Sequence, residues 1–371
     1  MKILKRMLYT IIMLLLALFL FGLYFMNRPE FGKHPSGDRL QKILRSPHYK
    51  DGQFQNLSPT PQLEKGYNIF GVLINFLFRK PEHIKPKNDI PVIKTDLKNL
   101  SRDSNLLIWF GHSSYLFILN GKTFLVDPVL SDNASPVPGS NKAYKGTSLY
   151  TADDLPAIDY LIITHDHFDH LDYPTIRELK GKVQQVICGL GVGEHLEYWG
   201  YPAAGITELD WYESTEFTDG VRITATPARH FSGRTFKRNT TLFCSYVLQS
   251  GDTRIFVGGD SGYDTHFKAI GTQYGPFDLA ILENGQYNEA WRYIHTLPSE
   301  MPAVIKDINA RNILPVHSGK FALALHSWKE PLTEIIKLQN TETRILTPRI
   351  GEVLKLDDST QTFSRWWEEA E

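Results

Sequence analysis

The residues that could do chemistry crowd into one short stretch. Thr164-His165-Asp166-His167-Phe168-Asp169-His170-Leu171-Asp172 places three histidines and three aspartates within residues 165–172. Imidazole nitrogens and carboxylates with no thiolate beside them suit zinc and argue against an iron–sulfur cluster. In an extended or turning segment His165 and His167 point the same way, so both can grip one cation. Asp169 and His170, beyond the turn, can face a second. The plain alternative is a polar turn whose aspartates cap the next helix, a role that suits Asp172 ahead of Pro174. Four side chains cannot complete two coordination shells, so further donors must come from downstream.

The elements that would position them are legible as apolar runs. Tyr160-Leu161-Ile162-Ile163 reads as a short buried strand that ends where the polar cluster begins. Three later runs also end in a ligand-type residue: His230 after 221–229, Asp260 after Ile255-Phe256-Val257-Gly258-Gly259, and His317 after Ile313-Leu314-Pro315-Val316. Gly258 and Gly259 allow the backbone a close approach. Singly, each is compatible with a satisfied polar residue at the core edge. As a series of strand ends they form a candidate ligand set.

Further runs at 106–110, 115–119, 123–126, 183–187, 242–248, 254–257 and 279–282 predict strands. Helices are expected near 174–179, 192–199, 264–270, 302–309 and 332–338. Early strands joined by a tight Asn120-Gly121 turn, then strand and helix in alternation, predict a layered α/β architecture. A net charge of −1 and no long basic run give no attraction to nucleic acid. Cys188 and Cys244, in apolar segments, read as core residues rather than a disulfide framework.

The amino-terminal region differs. Lys2, Lys5 and Arg6 precede an apolar stretch from Met7 to Met26, enough to span a bilayer as a helix. We read residues 1–27 as a single-pass membrane anchor, with a cleaved signal peptide as the rival. The leading cations predict an inside amino terminus and an extracytoplasmic remainder, although Arg28, Lys33 and Arg39 on the far side oppose that orientation. Residues 28–104 read as an extended collar and 105–371 as the catalytic domain. Within the collar, the apolar run 69–78 is either a helix packed on the main domain or a surface dipping into the membrane interface. Nothing in the sequence specifies an oligomeric state.

Together, H-x-H-x-D-H, a lone His, Gly-Gly-Asp and a late His resemble the metallo-β-lactamase superfamily. Narrower segments resemble its N-acyl phosphatidylethanolamine-hydrolysing phospholipases D. These include Trp109-Phe110-Gly111-His112-Ser113-Ser114, Asp127-Pro128-Val129-Leu130-Ser131, Ala228-Arg229-His230-Phe231, Gly259-Asp260-Ser261-Gly262-Tyr263 and His317-Ser318-Gly319-Lys320-Phe321. The resemblance implies a four-layer αβ/βα sandwich carrying two zinc ions. One would be held by His165, His167 and His230, the other by Asp169, His170 and His317, with Asp260 bridging. It also implies catalytic roles for Asp169, Asp260 and His295. His112 and Asp127, after early strands, are expected to orient ligands or substrate. Asp166 either supports the cluster or faces solvent.

Two cations about 3.5–4 Å apart can activate a shared water at neutral pH and stabilise charge on phosphoryl oxygens. The leading expectation is thus a membrane-tethered phosphodiesterase of phospholipase D type. It would hydrolyse N-acyl phosphatidylethanolamine-like phospholipids to N-acylethanolamine and phosphatidic acid. A lactone or ester hydrolase on the same metals is the first alternative, and a non-catalytic, membrane-attached metal-binding scaffold the second.

Overall fold

A computed structural model describes residues 2–370 of the chain. The amino-terminal stretch forms helix α1 (Lys2–Met26), which is long and apolar enough to cross a membrane and has no buried residue. The collar is more structured than its composition predicts. It holds α2 (Gly37–Leu44), a hairpin of β1 (Tyr49–Lys50) and β2 (Gln53–Phe54), and α3 (Ile69–Phe78). Phe31, Ile43, Phe54, Ile90 and Leu97 anchor it as buried side chains. Single apolar residues spaced along a polar strap carry no periodicity, which is why the sequence reads as featureless there.

The main body is two seven-stranded sheets face to face. The first contains β3 (Leu106–Trp109), β4 (Tyr115–Leu119), β5 (Lys122–Val126), β6 (Ile158–Ile163), β7 (Val183–Gly189) and β8 (Ile206–Leu209). The second contains β9 (Ser214–Glu216), β10 (Val221–Pro227), β11 (Cys244–Ser250), β12 (Thr253–Val257), β13 (Leu279–Glu283), β14 (Asn312–Val316) and β15 (Arg344–Ile345). The chain then returns to pair β16 (Val353–Lys355) antiparallel with β3, closing the first sheet's edge. Helices α4 (Tyr173–Leu179) and α5 (Gly193–Tyr198) cover the first sheet. Helices α6 (His266–Tyr274), α7 (Met301–Ile308) and α8 (Glu330–Ile335) follow later strands, and side chains of all three join the core cluster on the second sheet's outer face.

Why the strands read as unbroken apolar runs is clear from where alternate residues go. In β4, Tyr115, Phe117 and Leu119 face the core between the sheets, while Leu116 and Ile118 join the core under α4 and α5. Both faces are covered, so no polar alternation is permitted. The result is the four-layer αβ/βα sandwich expected from the resemblance.

Strand direction positions the site. Strands β3, β5 and β6 run one way in the first sheet, and β10, β12, β13 and β14 share one direction in the second. The sheets are stitched together where β6 ends: Cys244 N donates to Thr164 O at 2.9 Å and the Tyr246 hydroxyl to Ile163 O at 2.9 Å. Gly259 sits beside this seam at φ 62°, where a Cβ would come within 2.9 Å of Cys244 O and Thr164 Cβ.

Candidate metal centre

Every sequence-predicted ligand lies just beyond a carboxyl strand end, where α/β sheets present their loops to ligands. His165, His167, Asp169 and His170 follow β6, whereas His230 follows β10, Asp260 follows β12 and His317 follows β14. The fold brings them together. His167 Nδ1 lies 2.9 Å from His165 Nε2 and 3.2 Å from His230 Nε2. Asp260 lies between the two expected groups: its Oδ2 is 3.2 Å from His170 Nε2, 3.8 Å from His230 Nε2 and 3.9 Å from His165 Nε2, and its Oδ1 is 3.1 Å from His317 Nδ1. His165, His167 and His230 present ligand atoms all within 4.8 Å of one another, as do His112, Asp169, His170 and His317.

The donor set fits a cation on more than proximity. His167 Nε2, His170 Nε2 and Asp260 Oδ1 are buried with no hydrogen-bond partner among the described residues. Buried polar atoms left without hydrogen bonds are uncommon and costly in protein interiors. Burial pushes the imidazoles of His165, His230 and His317 well below their ordinary range, and crowding by neighbouring imidazoles adds to it. Burial likewise takes His167 down to about 4. Neutral imidazoles offer the lone pairs a metal requires. His170 is the exception. Burial opposes its charge, but Asp260 and Asp169 outweigh that and hold it well above the usual value. The carboxylates thus draw positive charge to this point of the cluster.

Further groups hold the candidate donors by hydrogen bonds. Asp127 accepts from His170 Nδ1 at 2.8 Å and from Thr164 N at 2.8 Å. His112 Nε2 lies 2.9 Å from Asp169 Oδ2, and His230 Nδ1 donates to Ile294 O at 2.9 Å. His112, Asp127 and His317 adopt positive φ of 52°, 40° and 64°. Non-glycine residues rarely take that conformation, and such strain concentrates at functional sites.

His295 Nδ1 lies 2.8 Å from Glu283 Oε2, and the residue belongs to a group with Glu283, Asp260 and His317. Asp172 caps α4, accepting from Thr175 N at 3.3 Å. Asp166 does not face solvent: it is buried and accepts from Gly233 N at 2.6 Å, Thr241 Oγ1 at 2.8 Å and His195 Nε2 at 3.1 Å.

Sequence reasoning missed Glu283, His195 and Arg234. Glu283 closes β13, so it follows the same rule of a polar residue at a strand end and could have been found by it. Burial pushes its carboxyl well above the usual range. His195 and Arg234 carry no local signal.

A cavity of about 730 Å³ opens onto the cluster. His167, Asp169, His230, Asp260, His295 and His317 line one part of it, while Leu63, Ile69, Val72, Trp291, Ile294 and Leu323 line the apolar part. Helix α3 contributes Ile69 and Val72 to that wall and leaves Phe70, Leu73, Leu77 and Phe78 exposed outside. Phe76 stacks on Trp291 at 5.9 Å between centroids.

The family described as Beta-lactamase superfamily domain matches residues 122–318. The chain is 30% identical to N-acyl-phosphatidylethanolamine-hydrolyzing phospholipase D 1 of Caenorhabditis elegans, over 90% of this chain and 97% of that protein. It is 37% identical to an uncharacterized protein of Mycobacterium tuberculosis, over 87% of this chain and 88% of that one. In fold it is similar to a "possible metal-dependent hydrolase" from Veillonella parvula, with a TM-score of 0.55 at 15% identity over 68% of this chain and 99% of the other.

Proposed function

The chain belongs to the metallo-β-lactamase superfamily and is a metal-dependent hydrolase, and from that premise we propose that it is a two-zinc phosphodiesterase of phospholipase D type. Its substrates would be N-acyl phosphatidylethanolamine-like lipids, cleaved to N-acylethanolamine and phosphatidic acid. The observation that carries the reading is the cavity itself. Its lining combines apolar side chains, two of them from α3, with the imidazoles and carboxylates of the cluster, so one opening can take both acyl chain and phosphodiester.

In this reading His165, His167 and His230 would hold one ion and Asp169, His170 and His317 the other, with Asp260 available to both. Two cations there would supply water activation at neutral pH and neutralise charge on the phosphoryl oxygens. The chain's own residues do the rest. Asp127 and Ile294 O fix the ring orientations of His170 and His230. His295, held through Nδ1 by Glu283, makes no other hydrogen bond among the described residues and lines the cavity. With the ring proton on Nε2 and Nδ1 accepting from the Glu283 carboxyl, it would donate to a phosphoryl oxygen or protonate the leaving alkoxide. Helix α1 tethers the enzyme to the bilayer that holds its substrate, with the catalytic domain on the extracytoplasmic side.

Lipid extracts from cells with and without the gene, compared by mass spectrometry, test the proposal. Loss of the gene should raise an acylated phosphoethanolamine lipid, and wild type but not Asp260→Asn should restore it. An unchanged phosphodiester lipid profile would remove the lipid assignment. Purified protein assayed on bis-p-nitrophenyl phosphate and a lactone panel separates phosphodiester from ester chemistry.

A further inference from the structure

We propose that the segment directly after the membrane helix, residues 29–33, is a working part of the metal site, clamped to the ligand-bearing turn by Arg234 and His195 acting as positioning residues. The inference rests on the metal-site reading above and extends it to a segment far from the donors in sequence.

Arg234 is buried, yet among the described residues no carboxylate hydrogen-bonds it; its donors go to main-chain carbonyls. Nη1 donates at 2.8 Å to Asp166 O, between two candidate ligands, and at 2.8 Å to Leu171 O, just past His170. Nε and Nη2 donate to Glu30 O at 2.9 and 2.6 Å. One guanidinium therefore ties both ends of the ligand-bearing turn to the first turn after α1. Its Cζ lies 4.1 Å from the ring centroid of Phe168, the residue between His167 and Asp169. Phe31 packs edge-on against Phe168 at 5.8 Å, and Phe25 of α1 packs on Phe31 at 5.3 Å.

A second link runs in parallel. Lys33 N donates to His195 Nδ1 at 3.0 Å, which fixes the other ring proton on Nε2, and that nitrogen donates to Asp166 Oδ2 at 3.1 Å. Gly32, at φ 68°, lies so close that a Cβ there would come 2.1 Å from His195 Nδ1. Asp166, also buried, supplies the negative charge that offsets the buried guanidinium. A turn carrying four ligand candidates is thus held from behind by the strap as well as by its own strand. Loosening the strap lets the turn relax, and outer supports of this kind typically change metal affinity 10–100-fold.

The test uses full-length protein bearing Arg234→Met, Gly32→Ala or His195→Ala, with His195→Gln as the conservative variant. Zinc affinity is measured by chelator competition, and the visible spectrum of cobalt-substituted protein reports ligand geometry. The first three variants should bind zinc about 10-fold or more weakly with an altered cobalt spectrum, and His195→Gln should recover part of the loss. Unchanged zinc affinity and cobalt spectrum in Gly32→Ala and His195→Ala, with only a lower melting temperature, would overturn the proposal, even if Arg234→Met fails to fold. Wild-type protein that binds neither metal would instead overturn the metal-site reading.

Discussion

Asp127→Asn is the substitution whose outcome follows most directly from geometry. Asp127 is buried, and its Oδ1 accepts from Thr164 N while its Oδ2 accepts from His170 Nδ1 and the Thr164 hydroxyl. Asparagine keeps the shape and the Oδ1 bond but places an amide N–H where Oδ2 stood. That donor faces the His170 Nδ1 proton, and the conflict is relieved if the imidazole moves its proton to Nε2. Nε2 is the nitrogen aimed at Asp260, 3.2 Å away, so the lone pair that would face a cation is lost. Removing such an outer partner weakens metal binding about 10–100-fold, or roughly 1.4–2.7 kcal/mol. Chelator competition gives the zinc affinity, elemental analysis the stoichiometry, and kcat/KM on bis-p-nitrophenyl phosphate across a zinc titration the consequence. Activity should fall at limiting zinc and recover substantially at saturating zinc, with a native melting profile. Wild-type zinc affinity in Asp127→Asn would refute the reasoning, and an activity loss that no zinc concentration restores would assign Asp127 a different role.

Other outcomes follow from the same structure. Asp260→Asn, which removes the carboxylate between both ligand groups, should lower metal content and cut kcat/KM by more than the roughly 100-fold expected of an outer partner; elemental analysis and kinetics check this together. His295→Gln should lose about 10²–10⁴-fold in kcat on substrates with an alkoxide leaving group and much less on those releasing p-nitrophenolate, which needs no proton. Equal losses on both would exclude leaving-group protonation. Lys320 is buried, donates to Val129 O at 2.7 Å, and is pushed down to about 8 by burial. Its folded value lies below its unfolded one, so the charged form penalises the fold fully below about pH 8, and the penalty fades as pH rises toward the unfolded value. Lys320→Met should therefore gain on wild type by up to roughly 3 kcal/mol at pH 7, less the cost of the unpaired carbonyl, and the gap should close by pH 10 in denaturant melts.

The sequence made the centre of this molecule legible because strand ends, metal donors and glycines are local signals. Residues 160–163 announce a buried strand and the cluster after them announces its chemistry. Glu283 was overlooked because a single carboxylate at a strand end resembles any exit from the core. The short strands β8, β9, β15 and β16, of two to four residues, are too brief to carry a period, and β16 exists only because the chain returns to β3. Arg234 and His195 were invisible for a different reason. Their partners, Glu30 O, Lys33 N and Asp166, are distant in sequence, and main-chain acceptors leave no trace in residue type. The collar's order has the same origin, since its buried residues depend on surfaces supplied by the main domain.

The seam at Thr164 and Gly259 has a consequence for how the protein comes apart. Four of the candidate donors ride on one sheet and three on the other, so neither half could coordinate an ion pair alone. Any ion bridging them acts as a rivet between the halves, and its escape and the parting of the layers become a single event. Protection of the Cys244 amide against hydrogen exchange would then track metal occupancy, although that amide touches no donor side chain.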